Sequence, residues 1–288
     1  MNIEFISNAY TTDGLKLPMV HFESNEKDIC VICIHGMCGT IIDNYFATVW
    51  GKLLSENDIG FIYEHNRGHS IENDIRMKDG SIKRYGCMYE IFEECVYDID
   101  LAIETAKSRG YKRIILLGHS LGCNKVIYYY YKKHPNILGM ILASAPDMIG
   151  SHLLEQADDH KELLREAKEN IDNNEPTKLL HKMMEVYMYM SSGTYYNWFH
   201  DGSNLDNLPV ISNPEHWEQF ETIDVPILTF SGSNEQDYYL HLDLLRAKAI
   251  NCPNFESQII EGAGHTYRNR EMETGNLIHE WVKKLEID

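Results

Sequence analysis

The chain alternates short apolar runs with longer stretches whose apolar residues recur every three or four positions. Ile29-Cys30-Val31-Ile32-Cys33-Ile34 is uninterrupted, the pattern of a strand covered on both faces. Residues 60–64, 114–117, 140–144, 226–231 and 256–260 predict further strands. Two shorter ones, 3–6 and 17–22, flank the turn Thr12-Asp13-Gly14 and predict an antiparallel opening ribbon. Helical spacing covers 43–55, 88–109 (stopped by Gly110), 123–133 and 272–285. The last of these puts Leu277, Ile278, Trp281, Val282 and Leu285 on one face.

Strands alternating with helices predict an α/β architecture, a mostly parallel sheet with helices on both faces. The alternation stops at residues 147–220. That stretch reads as helices, charged at 155–170 and rich in Met and Tyr at 183–199, with no apolar strand run. The chain therefore divides into an eight-stranded core, 1–146 with 221–288, and a helical cap, 147–220, inserted after the sixth strand.

The chemistry concentrates where the run 114–117 meets the helix at 123. Between them lies Gly118-His119-Ser120-Leu121-Gly122. In such a strand-turn-helix junction the glycines permit a turn too tight for side chains, and the strained serine is lifted above the sheet edge. The start of the new helix offers free N–H groups to a developing negative charge. This pentapeptide resembles the nucleophile elbow of the α/β-hydrolase superfamily, and the strand and helix order around it is similar too. Asn66-Arg67-Gly68-His69-Ser70 resembles a second loop of that superfamily, with Asn66 and Ser70 out of its usual register.

The resemblance implies the chain order serine, acid, histidine. His265, in Glu261-Gly262-Ala263-Gly264-His265 after the last strand, is the candidate base. The acid should follow the strand at 226–231, where Glu235 fits the usual spacing and Asp237 needs a loop two residues longer. Oxyanion donors are implied at the N–H of Leu121 and the N–H of Met37, the latter in a His35-Gly36-Met37 turn resembling the superfamily's His-Gly turn. His119, beside the serine, is expected to point away from the site. His65 and His69 have an i, i+4 spacing but lack a third metal ligand, so no metal or organic cofactor is implied. Cys30 and Cys33 fall on opposite faces of their strand and read as core.

The Met- and Tyr-rich part of the cap is mostly internal packing by default. The sharper reading makes Tyr187, Tyr195 and Trp198, with His35 and Gly36 below, the lining of an apolar substrate pocket over Ser120. The expected activity is hydrolysis of a small-molecule carboxylic ester with an apolar or aromatic part. The same residues would serve a thioesterase, an amidase or peptidase, or a hydrolase-fold ligand receptor. A net charge of -18 argues against nucleic acid and anionic membrane surfaces. No apolar run is long enough for membrane insertion, and the start lacks a secretory pattern. Seven scattered cysteines suit a reducing compartment, and the expectation is a cytoplasmic protein. Oligomeric state is not legible.

Overall fold

A computed structural model describes residues 2–184 and 188–285. Eight strands form one sheet: β1 (Asn2–Ile6), β2 (Met19–Glu23), β3 (Ile29–Ile34), β4 (Gly60–Glu64), β7 (Arg113–His119), β8 (Gly139–Ala143), β9 (Ile227–Gly232) and β10 (Phe255–Ile260). Two more, β5 (Asn73–Arg76) and β6 (Ile82–Tyr85), pair only with each other. The sheet order is β1-β2-β4-β3-β7-β8-β9-β10. From β4 to β10 the strands are parallel, while β1 and β2 form the antiparallel opening ribbon that the sequence predicts.

Parallel neighbours need crossover helices, and these cover both faces. On one face α1 (Tyr45–Glu56) and α8 (Glu271–Leu285) bury Phe46, Trp50, Leu54, Ile278, Trp281 and Val282 against Val31, Cys33, Ile115 and Leu117. On the other face α2 (Cys95–Ser108) and α3 (Leu121–Lys133) bury Ile99, Ala102, Val126 and Ile127 against Cys30, Ile32, Ile114 and Leu116. Strand alternation thus sends Cys30 and Cys33 into separate cores, as the pleat requires. Two short helices, α6 (Glu218–Glu221) and α7 (Leu242–Lys248), complete the second face.

The sequence between β8 and β9, the sixth and seventh strands of the main sheet, leaves the alternating pattern. It carries α4 (Met148–Asp172) and α5 (Ser192–Phe199), which pack over a third apolar cluster with Leu121 at its base. Asp147 ties the insertion's two ends together: its carboxylate caps α4 at Gly150 N (2.6 Å) and accepts from the N–H groups of Ile211 (2.6 Å) and Ser212 (3.0 Å).

Three elements differ from the sequence expectation. The helix expected from 88 begins as a 3-10 turn at Phe92 and becomes α2 only at Cys95. The hairpin β5–β6 was unforeseen; its residues are mostly polar and exposed, and the two buried ones, Ile75 and Tyr85, are too few to write a period into the sequence. The expected helix at 183–199 shrinks to α5. Ahead of it Met184 N bonds Met188 O (2.7 Å) and Leu180 N bonds Met190 O (3.0 Å), a hairpin-like pairing. Met188 and Met190 are buried while Tyr189 is 42% exposed, an alternation of period two. Among the described residues no helix is long and apolar enough to cross a membrane.

Candidate active site

Strand β7 ends at His119 and α3 starts at Leu121, so Ser120 alone turns the chain. It does so at φ 55° and ψ −130°, in the left-handed half of φ space that non-glycine residues rarely occupy. The flanking glycines explain how this closes. A methyl at Gly118 would strike the backbone of Gly122 and Cys123, and one at Gly122 would strike the carbonyl of Ile34 in the neighbouring strand. Ile34 pairs with Gly118, and Ala143 with His119, so β3, β7 and β8 all deliver their C-terminal ends to this point. In an open parallel sheet that edge is where sites form.

The turn after β3 rests directly on the serine. A Cβ on Gly36 would lie 2.7 Å from the Ser120 Cβ and 3.1 Å from its Oγ. His35 is wholly buried and does not reach the cavity, contrary to its expected place in the substrate pocket. Its Nε2 accepts from the Asn66 N–H (3.2 Å), which leaves the proton on Nδ1 to be donated to the Gly36 carbonyl (2.6 Å). Asn66 is held in turn by Lys125 Nζ (3.1 Å), and Lys125 pairs with the buried Glu90. Burial opposes the Lys125 charge, but Glu90, with Cys95 and Asp98 nearby, keeps the ammonium above its ordinary pKa. Arg67 of the same loop is also buried, its guanidinium forked onto Asp98 (2.8 and 3.1 Å).

His265 follows β10, and its Nδ1 donates to Glu235 Oε2 at 2.8 Å. The Glu235 side chain is fully buried, and its other oxygen accepts from Ser144 Oγ (2.7 Å) and Gly232 N (2.6 Å). With the proton on Nδ1, the His265 Nε2 is left as an acceptor. Of the two acidic candidates the histidine therefore meets Glu235. Asp237 is exposed, opens a 3-10 turn over Asp237–Tyr239 and makes no bond to His265 among the described residues.

Ser120, His265, His119, Gly36, Met37 and Tyr239 line one cavity of about 290 Å³. Tyr239 stands 4.7 Å from the His265 ring, centroid to centroid. The Met37 N–H makes no hydrogen bond among the described residues. Leu121 is the first residue of α3, so its N–H has no partner within the helix. His119 corrects an expectation. It does not point away, but lines the cavity and donates from Nε2 to the His265 carbonyl (2.8 Å).

A second cavity, about 60 Å³, lies under the insertion and shares Met37 with the first. Trp198 lines it together with Met148, Met184, Met190 and Phe199. Tyr195 does not; it is buried behind, with its hydroxyl on His152 Nε2 (2.9 Å). Tyr187 lies outside the described residues. Sequence reasoning missed Ser144, Tyr267 and His119 as supports of the His265–Glu235 pair. Ser144 and Tyr267 both sit at positive φ, at 53° and 52°, and they bond each other through their hydroxyls. No motif marks them, although Ser144 is the last residue of a predicted strand. Among the described residues no group of three or more His, Cys, Asp or Glu could hold a metal.

Sheet order, insertion point and the serine turn at the strand edge define an α/β-hydrolase fold. The chain belongs to the family described as "Protein of unknown function (DUF1749)", whose profile matches residues 90–285. No curated protein sequence matches it. Among solved structures it is similar to Est1E from Butyrivibrio proteoclasticus, at 15% identity and TM-score 0.65, with all of both chains covered. It is also similar to a soluble variant of monoglyceride lipase from Saccharomyces cerevisiae, at 16% identity and TM-score 0.65, with 99% of this chain and 96% of that one covered. The esterase PF2001 from Pyrococcus furiosus matches at 14% identity and TM-score 0.65, covering 98% of this chain and 91% of the other. At such identities the likeness is one of fold.

Proposed function

We propose that the chain is a serine hydrolase that cleaves small-molecule carboxylic esters through an acyl-enzyme intermediate. The observation that carries this reading is the His265–Glu235 hydrogen bond at the rim of the cavity that also holds the strained Ser120. A serine hydroxyl needs a base, and the base needs a group that orients it and steadies its charged form. Two of the fold neighbours are named esterase or monoglyceride lipase, and one structure of Est1E holds ferulic acid, which favours esters over amides.

In this mechanism the Ser120 Oγ attacks the ester carbonyl while His265 Nε2 takes its proton. Charge passes to the carbonyl oxygen, which the N–H groups of Met37 and Leu121 receive. Collapse of the tetrahedral adduct breaks the ester bond, and His265 returns the proton to the departing alkoxide. Water then adds to the acyl-serine by the same route and frees the acid. The insertion 147–220 acts as a cap whose cavity takes the ester's organic part, Trp198 and Met37 forming apolar walls. All seven cysteines are unpaired thiols, which supports a reducing, cytoplasmic setting. Hydrolysis of p-nitrophenyl butyrate tests the reading. Wild type should turn over and Ser120→Ala should fall to the buffer rate; equal rates would refute it.

A further inference from the structure

The cavity under the cap is not apolar throughout. Helix α4 loses helical geometry at Gln156 (φ −134°, ψ 25°), and around this break His152, Glu155 and Gln156 turn polar side chains into the lining. A pocket built only for hydrocarbon would gain nothing from them, because an unpaired buried polar group costs free energy.

His152 is the best placed of the three. It is 8% exposed, and its ring lies stacked on Phe199 at 3.9 Å and 21°, so its orientation is fixed. Nε2 is engaged by Tyr195 Oη (2.9 Å) and His160 Nδ1 (3.2 Å). Nδ1 has no hydrogen bond among the described residues, and the residue lines the cavity. A residue that lines a cavity with one ring nitrogen satisfied and the other open is a polar contact awaiting a partner. Burial and the neighbouring His160 hold its pKa at about 3, so the ring is neutral.

The open nitrogen selects among partners. If Nε2 accepts from Tyr195, Nδ1 carries a proton and donates; in the other tautomer it accepts. A hydroxyl suits both, since it donates and accepts. A carboxylate suits only the first, and it would meet Glu155, whose Oε1 already accepts from the Tyr238 hydroxyl (3.0 Å). We propose that His152 is a specificity-determining residue, and that the ester carries a neutral hydroxyl at the end of the group lying under the cap. This deepens the hydrolase reading and rests on it.

The test uses esters differing only at the tail: p-nitrophenyl alkanoates of six to ten carbons with and without an ω-hydroxyl, and the matching acetates of alkanols and alkanediols. The wild type should prefer the hydroxylated member at one chain length, in one of the two series, by about tenfold in kcat/KM. His152→Phe should erase that preference, bringing the ratio of kcat/KM for hydroxylated and plain esters to about one, and His152→Gln should restore part of it. Equal kcat/KM for every pair in the wild type would overturn the proposal without needing any variant. So would a preference that survives in His152→Phe. Absence of turnover for plain and hydroxylated esters alike would bring down the hydrolase reading itself, an outcome distinct from loss of tail preference alone.

Discussion

The Nε2–H of His119 donates to the main-chain carbonyl of His265 at 2.8 Å, across 146 residues of sequence. The residue preceding Ser120 thus anchors the loop that carries His265. Phe46 packs on its ring at 4.6 Å and burial holds its pKa at about 3, so it remains the neutral donor. His119→Phe keeps the packing and removes the bond. One lost hydrogen bond corresponds to about tenfold in kcat, with KM little changed. His119→Gln should recover part of the rate, and steady-state kinetics on a single ester checks both.

The choice of acid is sharper. Glu235→Gln keeps the shape and removes the charge that steadies an imidazolium, so kcat should fall by about 10³–10⁴. Asp237, exposed at the mouth of its turn, should tolerate Asn within about twofold. The reverse ranking would mean that the loop rearranges in solution.

Lys125 and Glu90 are buried together behind the Gly36 turn. Lys125→Met leaves a carboxylate uncompensated in the interior, at a cost of about 3–5 kcal/mol. Adding Glu90→Leu should return most of that stability in urea unfolding. Because Asn66 and His35 lose their support in both variants, activity should stay depressed even where stability recovers.

Acid should weaken the fold before its carboxylates titrate. Burial holds His35 well below its ordinary pKa, His65 and His69 at about 4, and His119 and His152 at about 3. Each is neutral when folded but takes a proton near pH 6.5 when unfolded, so the unfolded chain binds more protons below that pH. Their contribution is full above about pH 6.5 and is lost as pH falls, at up to about 1.4 kcal/mol per pH unit for each histidine. The urea midpoint should drop steeply from pH 6.5 to 5, and His119→Phe should flatten the slope by about one proton. A midpoint constant over that window would contradict these burials.

Sheet, helices and insertion point were legible because parallel strands buried on both faces write continuous apolar runs, as 29–34 and 114–117 do. Ser120 and His265, which line one cavity, stood out as candidates because glycines mark the turns beside them. Spacing leaned only slightly to Glu235 over Asp237, because what holds Glu235 against His265 is Ser144 and Gly232 N, contacts from the ends of β8 and β9 that no local pattern records. His119 was misjudged because side-chain direction at a strand's last residue depends on the loop arriving from 146 residues away. The insertion between β8 and β9 was the least legible part. Its buried Met residues are spaced for a helix as readily as for the paired segment they form.

The most direct test is to treat the protein with a fluorophosphonate, digest it and locate the adduct by peptide mass spectrometry. The account predicts rapid single labelling at Ser120, none in Ser120→Ala, and labelling slowed at least about a hundredfold in His265→Ala. An unlabelled wild type, or an adduct on another residue that persists in Ser120→Ala, would contradict it.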